Sequence, residues 1–405
     1  MIKSSQTSKN RKFSNRLYDF VMILFLVFFI AFANVRPAYV IIEIVFIGVF
    51  LIRAFTRNMR LEFYAYWSIA YLLVGLVSAI FSSYITVSFQ MLISTIQVLV
   101  VTNLLLPYIR DNERNCDLFQ IGIILAIASL GIRLIVTTPF SSLGLMRAGS
   151  SIGYNANEFG FIFAYGTTVL SYLFLENRKK IYLPIIVVFS ILCLLSGSRT
   201  ALAVMLISFS IQIIGHYTQQ GDILKFIKGI FFLGVILILL IILITQNEVL
   251  YDILGRRVVT FFESLTGRET SEGSTLIRLS MISDALDLFV KKPLLGSGLN
   301  TFRIYSGYGT YSHNNYTELL VSIGLVGIFI YYSLFIWLLI KVIRLYKTTK
   351  EGKYICVVAL VFAALIGDLG TVSYYSESLY VIWLFFVSLI DRKSINSRKM
   401  LGVSY

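Results

Sequence analysis

Apolar runs of about 17–25 residues, separated by polar connectors, recur from one end of the chain to the other. That is the length a helix needs to cross the hydrocarbon core of a bilayer. The runs are continuous rather than alternating, which argues against a membrane barrel. About twelve spanning helices are expected, near 18–34, 38–55, 63–81, 86–109, 117–136, 158–176, 181–196, 201–215, 226–245, 316–341, 355–373 and 376–390. The stretch 246–315 is the one long interruption. Within it Leu279, Ile282, Leu286 and Phe289 recur at helical spacing. They predict a short amphipathic helix against the membrane surface, ended by Lys291-Lys292-Pro293. The chain reads as an all-α integral membrane protein. It is a single polytopic domain over 1–405 with 246–315 as a large external loop, and it shows no internal repeat.

Composition agrees with this pattern. Of 405 residues 57% are hydrophobic and 14% charged, about half the charge of a soluble domain. The net charge of +14 would suit nucleic acid, but its placement suits a membrane better. Basic residues collect in alternate connectors: Lys3, Lys9, Arg11, Lys12 and Arg16; Arg53, Arg57 and Arg60; Arg110 and Arg114; Arg178, Lys179 and Lys180; Lys225 and Lys228; Lys341, Arg344, Lys347, Lys350 and Lys353; Arg392, Lys393, Arg398 and Lys399. With the expected spans these fall on one side, which the positive-inside bias makes cytoplasmic. Both termini are then inside. The 246–315 loop, with seven acidic and seven basic residues, is then outside. Ala31-Phe32-Ala33 has the form of a signal-peptide cleavage site, but the many spans that follow favour an uncleaved first helix. The three cysteines, Cys116, Cys193 and Cys356, have no metal or redox spacing and read as packing residues.

The polar, aromatic run Ser306–Asn315 precedes an apolar helix pattern and contains His313, one of only two histidines. An imidazole exchanges protons near neutral pH, so its place at a membrane boundary suggests chemistry; the competing reading is an interfacial polar residue. The external arginines are its candidate partners. Arg199 interrupts nearly continuous apolar sequence, where a buried cation would cost about 2.5–3.5 kcal/mol at a span centre; snorkelling at a span end is the bland alternative. Arg147 lies in the Gly- and Ser-containing loop 137–157, and Arg278 opens the amphipathic helix or merely solvates its end. Arg36, Arg256 and Arg257 read as surface or headgroup contacts, and Asp284 and Asp287 as solvent-facing. Guanidinium groups bind phosphate oxygens with fixed geometry, and several around one cavity would suit a lipid-linked diphosphate. His313 would then take a hydroxyl proton while arginines stabilise the departing charge. Glu43 within a span is either functional or paired. Arg133 and Asp368 stand near outer span ends and are further cavity candidates, whereas His216 lies in a cytoplasmic connector, away from the proposed site. Tyr305, Tyr308, Tyr311 and Tyr316 surround His313 in sequence, as headgroup anchors or sugar-stacking faces.

Three segments together resemble the O-antigen ligase and Wzy-type polysaccharide polymerase superfamily. They are Gly296-Ser297-Gly298, His313-Asn314 and Gly324-Leu325-Val326-Gly327. Ser196-Gly197-Ser198-Arg199, and Arg147 followed by Asn155-Ala156-Asn157, resemble its upstream segments, and Arg278 stands where the family has an arginine before its loop helix. Ser322 replaces the acidic residue before the glycine, and Glu318 is the nearest carboxylate. The resemblance covers roughly 145–330.

The resemblance implies a GT-C-like membrane glycosyltransferase in the bacterial plasma membrane, active on the outer face by inverting transfer, without metal, nucleotide or other cofactor. It implies undecaprenyl-diphosphate-linked glycan as donor and acceptor, with membrane lipids and polysaccharide-assembly proteins as further partners. His313 becomes the catalytic base, and Arg199, Arg278 and Arg147 become substrate ligands together with Asn314 and Asn157. Polymerisation of lipid-linked repeats into a surface polysaccharide is the expected reaction. Ligation to another acceptor shares its chemistry. A lipid-linked glycan transporter or flippase is the alternative of another class; it needs no base, and transporters often carry the internal repeats missing here.

Overall fold

The computed structural model describes residues 2–56, 62–139, 147–218, 223–256, 259 and 273–390. Arg57, Arg60, Arg257 and the terminal group Arg392, Lys393, Arg398 and Lys399 lie outside the described residues, as do the side chains of Lys3, Lys9, Arg11, Lys12 and Lys225. The described residues contain helices and no strand. The helices are α1 (Ile2–Ala31), α2 (Arg36–Thr56), α3 (Phe63–Ile80), α4 (Ile85–Arg110), α5 (Glu113–Thr137), α6 (Ala156–Asn177), α7 (Tyr182–Leu195), α8 (Arg199–Thr218), α9 (Ile223–Gln246), α10 (Gly273–Lys291), α11 (Asn315–Thr349), α12 (Gly352–Gly367) and α13 (Glu377–Ile390). Between α10 and α11 stands a single helical turn, Phe302–Tyr305.

Each of the twelve apolar runs coincides with a helix, but seven helices among the described residues are long and apolar enough to cross a membrane: α2, α3, α4, α5, α6, α8 and α11. Three apolar helices are shorter, α7 and α13 at 14 residues and α12 at 16. Fourteen residues rise only about 21 Å. For α13 the surroundings are protein, since Ser378–Ile390 is buried throughout. A helix apolar on every side belongs in a core. Helix α6 is similarly enclosed, from Ala156 to Leu173. In α2, by contrast, Ile41, Ile44, Ile52 and Phe55 are exposed, as suits a lipid-facing wall. Helix α8 packs on α12, α1 on α5, and α6 on α7 and α8. All three cysteines are buried and unbridged.

Helix α11 is broken at Gly324, whose backbone (φ 66°, ψ −166°) is not helical. The turn Pro293–Gly298 fills the break. Leu325 and Val326 donate their N–H groups to the carbonyls of Pro293 (2.8 Å) and Leu294 (3.2 Å), while Ser297 and Gly298 donate to those of Val321 (2.7 Å) and Ser322 (3.1 Å). Interrupting a helix strands backbone groups that must find partners; four find them here. Gly296 and Gly324 both have positive φ, and a Cβ on either would strike the backbone of the opposing segment.

The predicted amphipathic helix is α10, and it also packs a second face on the protein. Met281 and Ala285 are buried with Phe302 and Val321, and Leu288 packs against them. Leu279 and Leu286, expected against the membrane surface, are exposed on the protein. Apolar residues occupy two adjoining faces, and the face that carries Met281 and Ala285 meets α11.

Candidate active site

Hydrogen bonds tie together connections from distant parts of the chain around residues 311–318. Asn314 caps α11: its side chain accepts from Thr317 N (3.1 Å), the arrangement that makes Asn a preferred helix cap. Glu318, fully buried one turn into the helix, accepts the N–H of Ser312 through Oε2 (2.8 Å). Asn315 donates its N–H to the carbonyl of Asp368 (2.8 Å) and its side-chain amide to the Asp368 carboxylate (3.0 Å). His313 is thus held by anchors on both sides. It adopts φ 57°, a left-handed conformation uncommon for residues other than glycine.

The His313 ring is half-buried, and its Nδ1 has no hydrogen-bond partner. Burial, and then the charge of Arg278, push its pKa from 6.5 down to about 4. Arg278, from α10, is therefore near enough to act on the imidazole electrostatically. Tyr311 lies beside the ring, centroid to centroid 4.4 Å. The other three tyrosines disperse. Tyr305 meets Tyr84, Tyr308 donates to Asp284 (2.8 Å), and Tyr316 stacks on Tyr332.

The Tyr311 hydroxyl accepts a hydrogen bond from Asn155 Nδ2 (2.8 Å), and Asn155 in turn caps α6 by accepting from Asn157 N (2.9 Å). Arg147 donates to Asn157 Oδ1 (2.7 Å) and to the carbonyl of Ser196 (2.8 Å). An unbroken series of contacts thus runs from His313 through Tyr311, Asn155, Asn157 and Arg147 to the turn that carries Arg199. Arg199 opens α8 and is partly exposed; the next residue, Thr200, packs against Gly370 in the loop after α12. Arg147, Asn157 and Asn314 all bind protein partners, which gives each a part in shaping the site.

Asp368 is buried at 1% exposure and accepts from Asn315 and Tyr332 (2.7 Å); burial raises its pKa to about 7. Its part is to anchor α11 rather than to line a cavity. Arg133 joins Asn34 Oδ1 (2.7 Å) to the carbonyls of Ala31 (2.6 Å) and Ile152 (3.3 Å). Glu43, 4% exposed, bonds Gln97 from within the bundle. His216 meets Arg178 (2.7 Å).

Beside Tyr311 opens a cavity of about 330 Å³ between the α1–α2 turn, α6 and the start of α13. Its charged lining residues are Glu158 and Glu377. Neither stood out in the sequence, although Glu158 adjoins Asn157 and Glu377 opens an apolar run, where a carboxylate is a functional signal. Arg303 is a second omission. It follows Phe302 in the short helical turn, its Nε is buried without a hydrogen bond, and its charge acts on Glu318.

No match is found among curated proteins. Residues 184–332, which run from α7 through the Ser196–Arg199 turn, α10 and the Pro293–Gly298 turn to His313 and the first part of α11, are similar to the family model described as O-antigen ligase (Wzy_C).

Proposed function

We propose that the protein polymerises lipid-diphosphate-linked oligosaccharide repeats by inverting glycosyl transfer on the outer face of a bacterial plasma membrane, with undecaprenyl diphosphate as the carrier. The observation that carries this reading is the pairing of a half-buried imidazole, unpartnered at Nδ1, with the nearby charge of Arg278. In the transfer, His313 takes the proton of an acceptor hydroxyl as its oxygen bonds the donor's anomeric carbon. The bond from that carbon to the diphosphate breaks, and its electron pair leaves with the diphosphate oxygen. Arg278 stabilises the charge that grows there, with Arg199 as the second candidate ligand, and guanidinium groups suit phosphate oxygens. Neutral imidazole is the form that can accept the proton, and a pKa near 4 keeps His313 neutral at pH 7.

Ligation is the second reading, favoured by the description of the matched family. Both reactions use the same donor step. Purified protein given lipid-linked repeats should yield a ladder of chain lengths if it polymerises, and a single capped product on a separate acceptor if it ligates. His313→Ala should lower transfer by about 10²–10⁴-fold, the usual contribution of a general base. Full activity in folded, membrane-inserted His313→Ala protein would remove the base assignment and leave transport as the stronger reading.

A further inference from the structure

The cavity beside Tyr311 has the composition of a sugar site rather than a phosphate site. Tyr154, Tyr311, Tyr375 and Phe161 supply aromatic surface, and the charged groups in its lining are the two carboxylates. Glu158 is fixed by two hydroxyls on one oxygen: Ser376 and Ser378 donate to Oε1 at 3.0 and 2.9 Å. Glu377 accepts from the Tyr39 hydroxyl through Oε2 (3.1 Å). Each carboxylate therefore has one oxygen held by the protein and a second that takes part in none of these bonds. Ionised carboxylate oxygens accept hydroxyl hydrogen bonds about twice as strong as neutral pairs make. A diphosphate would meet like charge here. Arg133, from α5, is engaged by Ala31, Asn34 and Ile152, and Arg36, exposed on the α1–α2 turn, acts on Glu377 by its charge but does not line the cavity.

Position adds to composition. Tyr311 lines this cavity and also lies against the His313 ring. The same tyrosine feels the charges of Glu158 and Arg278. It therefore lies within reach of both the carboxylate-lined cavity and the charge of Arg278, with the imidazole beside it. Inverting transfer needs acceptor and diphosphate apart, because the acceptor hydroxyl attacks the anomeric carbon from the side opposite the departing diphosphate.

We propose that this cavity holds the terminal sugar of the acceptor, and that Glu158 and Glu377 select a sugar without negative charge. The proposal rests on the glycosyl-transfer reading and specifies the acceptor half of the site. A neutral or amino sugar satisfies both carboxylates, whereas a uronic acid is repelled by them.

Glu158→Gln and Glu377→Gln test this, since glutamine keeps an oxygen for the serine and tyrosine donors. With the donor saturating, each variant should raise the KM for a neutral-ended, lipid-linked acceptor about tenfold, with kcat changed about twofold or less. The double variant should narrow the preference for neutral-ended over uronic-acid-ended acceptors. A second arm needs no turnover. The unlinked neutral oligosaccharide should bind wild-type protein in lipid nanodiscs, compete with no diphosphate lipid, and bind the variants about tenfold more weakly. Unchanged acceptor KM and unchanged oligosaccharide binding in both single variants would overturn the subsite while leaving the transferase standing. A wild-type protein that moves no glycan from a lipid diphosphate, yet binds the oligosaccharide through Glu158 and Glu377, would overturn the reaction instead and keep the sugar site.

Discussion

At His313 the two causes that depress basicity are separable. Burial acts first and cannot be removed without rebuilding the loop; the charge of Arg278 acts second and can be. Because the pKa is lowered, the ring is neutral and able to accept a proton at every pH above about 4, and it loses that ability as pH falls through this value. An anionic donor beside Arg278 offsets the cation and raises the basicity of the imidazole at the step that needs it. Arg278→Ala should therefore move the acid limb of the kcat/KM profile upward, from near 4 toward 6.5; an unmoved limb would show that this charge does not govern the base. Glu318 belongs to the same scale. Glu318→Ala strands the buried Ser312 N–H at a cost of about 1–3 kcal/mol and loosens the residue before His313. It should lower kcat more than it raises either KM, with Glu318→Gln largely restoring it. His313 stood out in the sequence as a titratable group at the edge of an apolar run, whereas Arg278 gained its role there only from the family resemblance. Sequence reasoning noted Glu318 only as the nearest carboxylate, since the partner is a backbone N–H, and backbone groups leave no mark in a sequence.

Among the elements, α11 shows the same limit more sharply. The glycines of Gly296-Ser297-Gly298 and Gly324-Leu325-Val326-Gly327 were visible as two motifs 28 residues apart from Gly296 to Gly324. Their engagement was not, because it consists of main-chain hydrogen bonds and of space that only a missing Cβ provides. Hydropathy therefore predicted one continuous span across the break. Gly324→Ala introduces a side chain at φ 66° against the backbone of Leu294. Strain of this kind costs about 1–3 kcal/mol, and the steric overlap adds to it. The variant should melt several degrees lower in detergent and lose transfer activity, whereas Gly48→Ala, with open space around it, should change neither. Equal behaviour of the two would dismiss the interlock as a structural requirement. The protein-facing side of α10, with Met281 and Ala285, was not singled out for a related reason: two apolar faces adjoin, and periodicity alone does not say which meets protein.

Taken whole, the molecule divides its polar groups between two ends. The loops around His313 gather at one. At the other, Arg53 pairs with Asp111 (2.7 Å), Arg110 with Glu62, Arg114 with Asp19 (2.5 Å) and Lys353 with Glu351 (2.8 Å). The long apolar runs located the helices, since burial or lipid contact over a full turn is what such runs encode. The cavity was beyond that reach, because Glu158 and Glu377 come from helices far apart in the chain and share no spacing. Buried native cysteines give a low background for testing which end faces out. An impermeant maleimide should label Asp287→Cys in intact spheroplasts, and Thr348→Cys only after lysis; the opposite pattern would invert the assignment made from charge. The interrupted helix has a mechanical meaning at this scale. Arg278 sits on α10, which leads directly into the Pro293–Gly298 turn, and His313 sits just before the first segment of α11. The two groups hang from opposite arms of one joint, pinned by four main-chain bonds. The distance between cation and imidazole is thus set by a stiff coupling within the protein. A displacement of either arm by lipid or glycan reaches the other without passing through a flexible linker.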